Sequence, residues 1–196
     1  MMDLVPATRR TAELLTNIDD DQLASPTPCP SYTLGDLLDH VNGLAQAFTD
    51  AAHKANLGEP GVEPQPGRAA NLDPEWRTVI PRRLAALGEA WRDRAAWEGM
   101  TRAGGIDLPA EIAGLVALDE VIVHGWDIAR ASGQPYDADA DHVEACMQTM
   151  GPRPGEERPV GDDVPFGRPV DVPADARFID RLAAVLGRDP SWTPSA

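Results

Sequence analysis

One stretch constrains the fold more than any other: residues 115–129 read LVALDEVIVHGWDIA. On a helix, these residues place apolar side chains on almost every face, so the helix belongs in the interior of the molecule. The helical pattern extends from Pro109 to Ser132, and the next residue, Gly133, is of a type suited to a helix C-terminus. The sequence therefore predicts a long, buried central helix.

More helices are predicted along the chain, because segments with apolar residues at helical spacing alternate with clusters of proline and glycine. The second helix has a capping signal, Thr33 followed three residues later by Asp36. No run of alternating polar and apolar residues indicates a sheet. The expected helices are Asp3–Thr16, a helix from Thr33 through Phe48, Pro74–Trp97 with Pro81 as a kink or as its true start, Pro109–Ser132, Ala138–Met150 and Ala174–Leu186.

The fold class that follows is all-α. Four long helices, one of them buried, predict a helical bundle, which we place in residues 1–150. Residues 151–173 read GPRPGEERPVGDDVPFGRPVDVP and are too polar to form a core. We therefore expect residues 151–196 to be a Pro/Gly-rich extension whose terminal helix packs on the bundle.

Charge and cysteine content exclude several classes of protein. The 196 residues include 32 acidic and 17 basic side chains, a formal net charge of -15, and such a surface repels phosphate backbones and anionic lipids. No apolar segment approaches the roughly 18 residues of a membrane span, and the first residues lack a signal-peptide core. Cys29 and Cys146 have no C-x-x-C spacing and are interpreted as free thiols. We expect a cytoplasmic protein that binds neither nucleic acid nor membranes.

Two ionisable residues lie on the apolar stripe of the central helix. Glu120 and His124 are one turn apart on a single face, where an isolated carboxylate would cost several kcal/mol without a proton, a partner or a metal. In the second helix, His40 lies within the apolar stripe of Leu37 and Leu44. Two facing helices could assemble a His2Glu site, which leaves one position open as in catalytic zinc sites. This donor set suits zinc, nickel or iron(II).

Spacing alone leaves other interpretations open. Glu120 and His124 could be a pair that only stabilises the helix, and His40 could be a buried histidine with an ordinary hydrogen-bond partner. Three nearby aspartates could replace Glu120 as a ligand: Asp39, Asp119 and Asp127. Of these, Asp119 and Asp127 could instead orient an imidazole. The other two histidines, His53 and His142, are expected to be exposed.

Three segments also resemble a known family: TPCPSYTLGDLLDHVNGLAQAF, LPAEIAGLVALDEVIVHGWDIARASG and DARFIDRLAAVLGRDPSW. They are similar to an actinobacterial metal-binding family related to the N-terminal domain of mycothiol-dependent maleylpyruvate isomerase, within the DinB-like superfamily. The resemblance covers nearly the whole chain. It implies a DinB-like four-helix bundle with a divalent metal, usually zinc, on a His, Glu, His triad. By motif, the triad falls on His40, Glu120 and His124.

The resemblance also implies an activity. Such relatives use the metal to activate mycothiol for transfer or isomerisation, so a small-molecule thiol or electrophile is the implied partner, and a homodimer the implied assembly. The isomerase has a further C-terminal domain that contributes to its active site, whereas a loop and one short helix follow Met150 here. Our first hypothesis is therefore a mycothiol-dependent transferase or isomerase of unknown substrate. A metal-dependent hydrolase, with one of the aspartates as general base, and a non-enzymatic metal-stabilised binding module are the alternatives.

Overall fold

The computed structural model describes residues 1–58, 65–151 and 167–194, so most of the Pro/Gly-rich stretch 151–173 lies outside the described residues. The described chain is mostly helical, and the predicted all-α bundle is confirmed. Four helices form the bundle, in which α1 and α2 each pack against both α3 and α4. The helices are α1 (Val5–Leu14), α2 (Leu34–Ala52), α3 (Trp76–Ala90), α4 (Ala110–Ser132), α5 (Ala140–Met150) and α6 (Phe178–Val185).

Helix α4 is the central element, as its sequence predicts. Every residue from Val121 to Ala129 is buried, and α4 packs against α1, α2, α5 and α6. It ends at Gly133, whose φ of 69° is the left-handed conformation that glycine adopts without strain. No helix within the described ranges is long and apolar enough to cross a membrane.

Helix α2 begins at the predicted capping box. The hydroxyl of Thr33 accepts the backbone N–H of Asp36 at 3.3 Å, and the carboxylate of Asp36 accepts the backbone N–H of Thr33 at 3.0 Å. Two orphan donors of the first turn are thereby satisfied. The buried side of α2 includes Leu37, Val41 and Leu44, and this side packs against α3 and α4. The cap therefore sets the start of the helix that holds His40 in its second turn.

The third helix is shorter than predicted, and a hairpin follows it. Helix α3 contains Pro81 in its interior, so this proline does not mark the start, and a short 3-10 turn at Arg94–Trp97 replaces the predicted last turns. Strands β1 (Met100–Ala103) and β2 (Ile106–Pro109) then pair antiparallel. The expectation that the chain has no strands is wrong here, because strands of four residues are too short to display an alternating pattern.

The hairpin depends on two glycines. Gly104 and Gly105 both have positive φ, 59° and 79°, as a two-residue type I′ turn requires. The hairpin leads directly into the central helix, and the backbone N–H of Ala110 donates to the carbonyl of Gly99 at 2.9 Å. The hairpin thus places the first residue of α4 against the start of β1.

The C-terminal segment, residues 167–194, packs on the bundle. Helix α6 contacts α5 and α4. Trp126 of α4 is buried and its indole N–H donates to the carboxylate of Asp180 at 3.0 Å. The guanidinium of Arg130 donates to the carbonyl of Pro190 at 2.6 Å. These contacts tie the segment to α4, while the division of the chain into two parts at residue 150 stays a prediction.

Candidate metal centre

Three side chains converge where α2 and α4 pack together. His40 comes from α2, and Glu120 and His124 come from successive turns of α4. Oε2 of Glu120 lies 3.1 Å from Nε2 of His124 and 3.6 Å from Nε2 of His40. The two imidazole rings are nearly perpendicular, with centroids 4.9 Å apart. One potential ligand atom from each residue lies within 4.8 Å of the other two, so this donor set fits a small cation.

The charges of these groups depend on one another. Burial raises the pKa of Glu120, but the imidazoles of His124 and His40 beside it outweigh burial and hold its pKa below the ordinary value. Burial lowers the pKa of His124, whereas hydrogen bonds to Asp127 and Glu120 raise it, and its pKa is about 9. Without a cation, the carboxylate of Glu120 is therefore stabilised by imidazole protons. A divalent cation displaces such protons when it binds.

Asp127 is the aspartate that faces an imidazole of the cluster. It is fully buried, and its Oδ2 lies 3.1 Å from Nδ1 of His124 and 3.3 Å from Nη2 of Arg188. A histidine that donates Nδ1–H to a carboxylate has Nε2 free as a ligand atom. Asp127 is therefore placed to orient His124, with Nε2 facing Glu120.

The other two aspartates have different partners. Asp39 accepts the backbone N–H of Arg68 at 3.0 Å. Asp119 is buried and hydrogen-bonds with Cys146 of α5, and burial, together with the charge of Glu120, raises the pKa of Asp119 to about 8. Neither carboxylate belongs to the group of potential ligand atoms described above. Their contacts favour structural roles.

Tyr32 is a residue of this region that the sequence analysis missed. Its ring lies 5.2 Å from the ring of His40, tilted by 31°. Its phenolic oxygen accepts the backbone N–H of Gly67 at 3.4 Å, and burial raises the pKa of the phenol. Tyr32 therefore forms part of the surroundings of His40. No spacing rule links it to a site, since it precedes the helix in a proline-rich turn.

Residues 67–69, which we call the strap, cross the first turns of α2. A Cβ on Gly67 would lie 2.2 Å from the backbone oxygen of Asp36 and 2.7 Å from Cβ of His40. The carboxylate of Asp36 accepts the backbone N–H of Ala69 at 2.7 Å, and Asp39 accepts that of Arg68. The strap therefore packs against the backbone that holds His40, and only a glycine fits at its closest approach.

Arg188 is the second missed residue. It follows α6, is 6% exposed, and its guanidinium contacts Asp127. A lone arginine in the segment GRDPSW has no local signal that would connect it to a buried aspartate in another helix.

The remaining sequence predictions have mixed outcomes. His142 was expected to be exposed, but it is buried, because it shares the inner side of α5 with Val143 and Cys146. His53 is exposed, as predicted. Neither Cys29 nor Cys146 forms a disulfide, as predicted.

Comparison with known proteins places the chain in a family. The family model for the mycothiol maleylpyruvate isomerase N-terminal domain matches residues 4–129. Two Mycobacterium tuberculosis proteins are each 33% identical to this chain over 187 residues, which is 90% of this chain and 91% of the relative. They are the uncharacterised proteins MT0763 of strain CDC 1551 / Oshkosh and Rv0738 of strain ATCC 25618 / H37Rv.

Solved structures agree on the fold. The crystal structure of the mycothiol-dependent maleylpyruvate isomerase has a TM-score of 0.57 at 23% identity, and that of a histidine-to-alanine mutant has 0.55 at 21%. Each match covers 75% of this chain but 64% of the isomerase chain, so this chain spans less than two thirds of that enzyme. The segment matched by the family model includes the three converging residues, and this chain belongs to the family of the mycothiol maleylpyruvate isomerase N-terminal domain.

Proposed function

We propose that this chain binds one divalent metal ion through His40, Glu120 and His124 and uses it in a transferase or isomerase reaction that depends on a mycothiol-type thiol. The observation that carries the proposal is the convergence of these three residues, whose ligand atoms lie within 4.8 Å of one another. Two imidazole nitrogens and one carboxylate oxygen are a donor set of catalytic zinc sites, and three protein ligands leave one position open. Zinc is the expected metal, with nickel and iron(II) as alternatives.

The charge of the donor set supports a thiol as cosubstrate. Two neutral imidazoles and one carboxylate give a site with a divalent ion a net charge of +1, so the ion would favour the thiolate form of a bound thiol and lower its pKa. Asp127 keeps Nδ1–H of His124 engaged, while Tyr32 packs beside His40. The mycothiol dependence named for the related isomerase supports mycothiol as the thiol.

The remaining parts of the proposal concern partners and location. A small electrophile is the expected second substrate, since a thiolate is a nucleophile. The excess of acidic residues supports the absence of nucleic-acid binding. We also propose a cytoplasmic location, where low-molecular-weight thiols stay reduced, and a homodimeric state.

The contacts of the three aspartates weigh against the hydrolase alternative. A hydrolase of this kind needs a carboxylate that can take a proton from water at the site. Asp39 is engaged by the strap, Asp119 is buried beside Cys146, and Asp127 is shared by His124 and Arg188. The thiol hypothesis needs no such base, so we favour it.

Metal content tests the proposed metal site. Purified wild type, His40→Ala, Glu120→Gln and His53→Ala are loaded with zinc, dialysed and measured by mass spectrometry. His53→Ala is the matched control, because His53 is an exposed histidine at the end of the same helix. We expect about one zinc per chain in wild type and control, and none in the other two variants. A folded wild-type protein that takes up neither zinc, nickel nor iron(II) would contradict the proposal.

A cobalt-substituted protein tests the proposed role of a mycothiol-type thiol. Mycothiol is titrated into it while the visible absorption is recorded, with S-methylated mycothiol as the control that cannot form a thiolate. We expect the spectrum to change with mycothiol and to stay constant with the methylated compound. An unchanged spectrum at saturating mycothiol would exclude the thiol hypothesis and favour the metal-stabilised binding module.

A further inference from the structure

We infer that Arg188 is a positioning residue of the metal centre, which acts through Asp127 to hold the imidazole of His124 with Nε2 facing Glu120. The inference rests on the proposed function, because it concerns how a metal ligand is held. Arg188 lies outside residues 4–129, the segment that matches the family domain. The C-terminal segment would then be part of the functional site.

The first step is the contact of one carboxylate oxygen with two donors. Oδ2 of Asp127 lies 3.1 Å from Nδ1 of His124 and 3.3 Å from Nη2 of Arg188. Its other oxygen, Oδ1, has no hydrogen-bond partner in the described part of the chain. The hydrogen bonds that orient this buried carboxylate are therefore the two contacts of Oδ2, and the loss of either would weaken that constraint.

The second step concerns charge. Asp127 is 0% exposed, and a buried carboxylate without a cation beside it is costly. Glu120 already places one carboxylate against the Nε2 side of the His124 ring. Arg188 places a guanidinium beside the second carboxylate, on the opposite side of the ring, where it offsets the cost of burying that carboxylate.

The third step is that Arg188 is itself held in place. Its backbone N–H donates to the carbonyl of Ala183 at 2.9 Å, and its Nη1 donates to the carbonyl of Leu186 at 3.0 Å. Gly187 has a φ of 85°, which turns the chain at the end of α6. A Cβ on Gly187 would lie 2.5 Å from Cα of Gly167, so the two backbones are in close contact. The guanidinium is thus placed by backbone contacts.

Zinc affinity provides the test, measured by competition with a chromophoric chelator on the full chain. The variants are Arg188→Gln, Asp127→Asn and the double variant, with Arg130→Gln as the matched control. Arg130 joins α4 to the same segment through the carbonyl of Pro190, and its guanidinium faces Asp180 and Trp126. We expect Arg188→Gln to weaken zinc binding about 10-fold and Asp127→Asn about 10- to 100-fold. The control should stay within about 2-fold of wild type, because it changes neither contact of Asp127.

Two further readouts separate positioning from general stability. If Arg188 acts through Asp127, the double variant binds zinc within about 2-fold of Asp127→Asn alone. In the zinc-loaded protein, the Nδ1–H proton of His124 should exchange with solvent faster in Arg188→Gln than in wild type, as measured by NMR. If Arg188→Gln does not fold, Arg188→Lys replaces it, with an expected loss of about 3-fold, because an ammonium keeps the charge but lacks the planar fork.

Each contrary outcome has one meaning. A wild-type protein that binds no metal would overturn the proposed function, and with it the basis of this inference. A wild type that binds zinc while the Arg188 variant binds it equally tightly would overturn the inference alone. Equal weakening in Arg188→Gln and Arg130→Gln would also overturn it, because docking of the whole segment would then be the cause. Additive losses in the double variant would exclude action through Asp127.

Discussion

Two buried histidines in this protein have similar local surroundings but very different partners. His124 and His142 are each 6% exposed, and each lies three residues from an aspartate, Asp127 and Asp139 respectively. His124 has a carboxylate oxygen 3.1 Å from each ring nitrogen. Nδ1 of His142 is 3.9 Å from Asp139 and has no hydrogen-bond partner among the described residues. Burial and spacing alone therefore do not decide which polar groups surround a histidine.

The difference lies in the segments that meet at each histidine. At His124, helix α2 contributes His40, and the C-terminal segment contributes Arg188. At His142, the carboxylate of Asp139 is bound by Arg10 at 2.6 Å. Within the described part of the chain, His40, Glu120 and His124 form the one group suited to hold a metal ion. The two regions differ because the segments that meet at His124 bring further polar side chains to the imidazole and its aspartate, whereas Arg10 contacts only the aspartate at His142.

The largest expected effect separates the two histidines by metal binding. His124→Ala should no longer hold one zinc per chain. The loss of a ligand should lower zinc affinity by more than ~100-fold, which is the upper range for loss of a residue that only hydrogen-bonds to a ligand. His142→Ala should keep about one zinc per chain, although its melting temperature falls because a buried side chain is removed. Mass spectrometry and thermal melts measure the two effects. Equal zinc loss in both variants would contradict the comparison.

The second effect is on pH-dependent stability of the metal-free protein. The pKa of His124 is raised from 6.5 to about 9, so its contribution to the free energy of unfolding is complete below pH 6.5 and is lost as pH rises toward 9. At about 1.4 kcal/mol per pKa unit, the loss reaches about 3 kcal/mol at most. The raised pKa of Asp119, about 8 instead of 3.8, also lowers stability as pH rises, and its effect is complete near pH 8.

Urea denaturation at pH 6.5, 8 and 9.5 after chelator treatment measures this loss. His124→Gln should remove most of the decline above pH 8, whereas His142→Gln should keep it. A wild-type stability that is constant or increases over this range would contradict the assignment. Zinc should also weaken the decline, because the ion displaces the imidazole proton.

A smaller effect concerns the strap beside His40. Gly67→Ala should destabilise the protein by about 2 kcal/mol, as overpacking does, because the added Cβ meets the backbone of α2. It should also weaken zinc binding, since the same Cβ approaches His40. Gly43→Ala is the control in the same helix: Gly43 has nothing within 4 Å of an added Cβ, so this change should stabilise the protein by about 0.5–1 kcal/mol. Urea denaturation and zinc titration distinguish the two, and equal effects would exclude the strap as a support of the site.

The smallest expected effect concerns Tyr32. Tyr32→Phe removes the oxygen that accepts the N–H of Gly67 at 3.4 Å but keeps the ring against His40. The expected cost in unfolding free energy is about 0.5–1 kcal/mol, with zinc affinity within about 2-fold of wild type. Tyr32→Ala should weaken zinc binding more than Tyr32→Phe does. If both variants weaken it equally, the hydroxyl rather than the ring supports His40.

Much of the fold could be predicted from the sequence, because the relevant contacts are local. The capping box joins residues three apart, and the end of α4 follows from one glycine. Glu120 and His124 are one turn apart in an apolar helix, and His40 interrupts the apolar side of another. Buried polar groups need partners, so polar residues on the apolar faces of two helices predicted that these three side chains meet.

The errors occurred where local patterns are weak. The hairpin at 100–109 has strands of four residues, and only Gly104 and Gly105 signalled its turn. His142 was expected to be exposed, but it lies at the start of α5 on the side that faces the core. In both cases the local pattern was too short or too weak to indicate the structure that tertiary packing stabilises.

The sequence by itself determined the helices, most of their ends and the pair of helices that hold polar groups on apolar faces. These features depend on residues within one or two turns of one another. Only the tertiary structure decided that Asp127, rather than Asp39 or Asp119, faces His124, and that Arg188 lies beside it. Arg188 and Asp127 are separated by 61 residues. The free energy of a buried charge depends on which segments fold against it, and no local pattern encodes that choice.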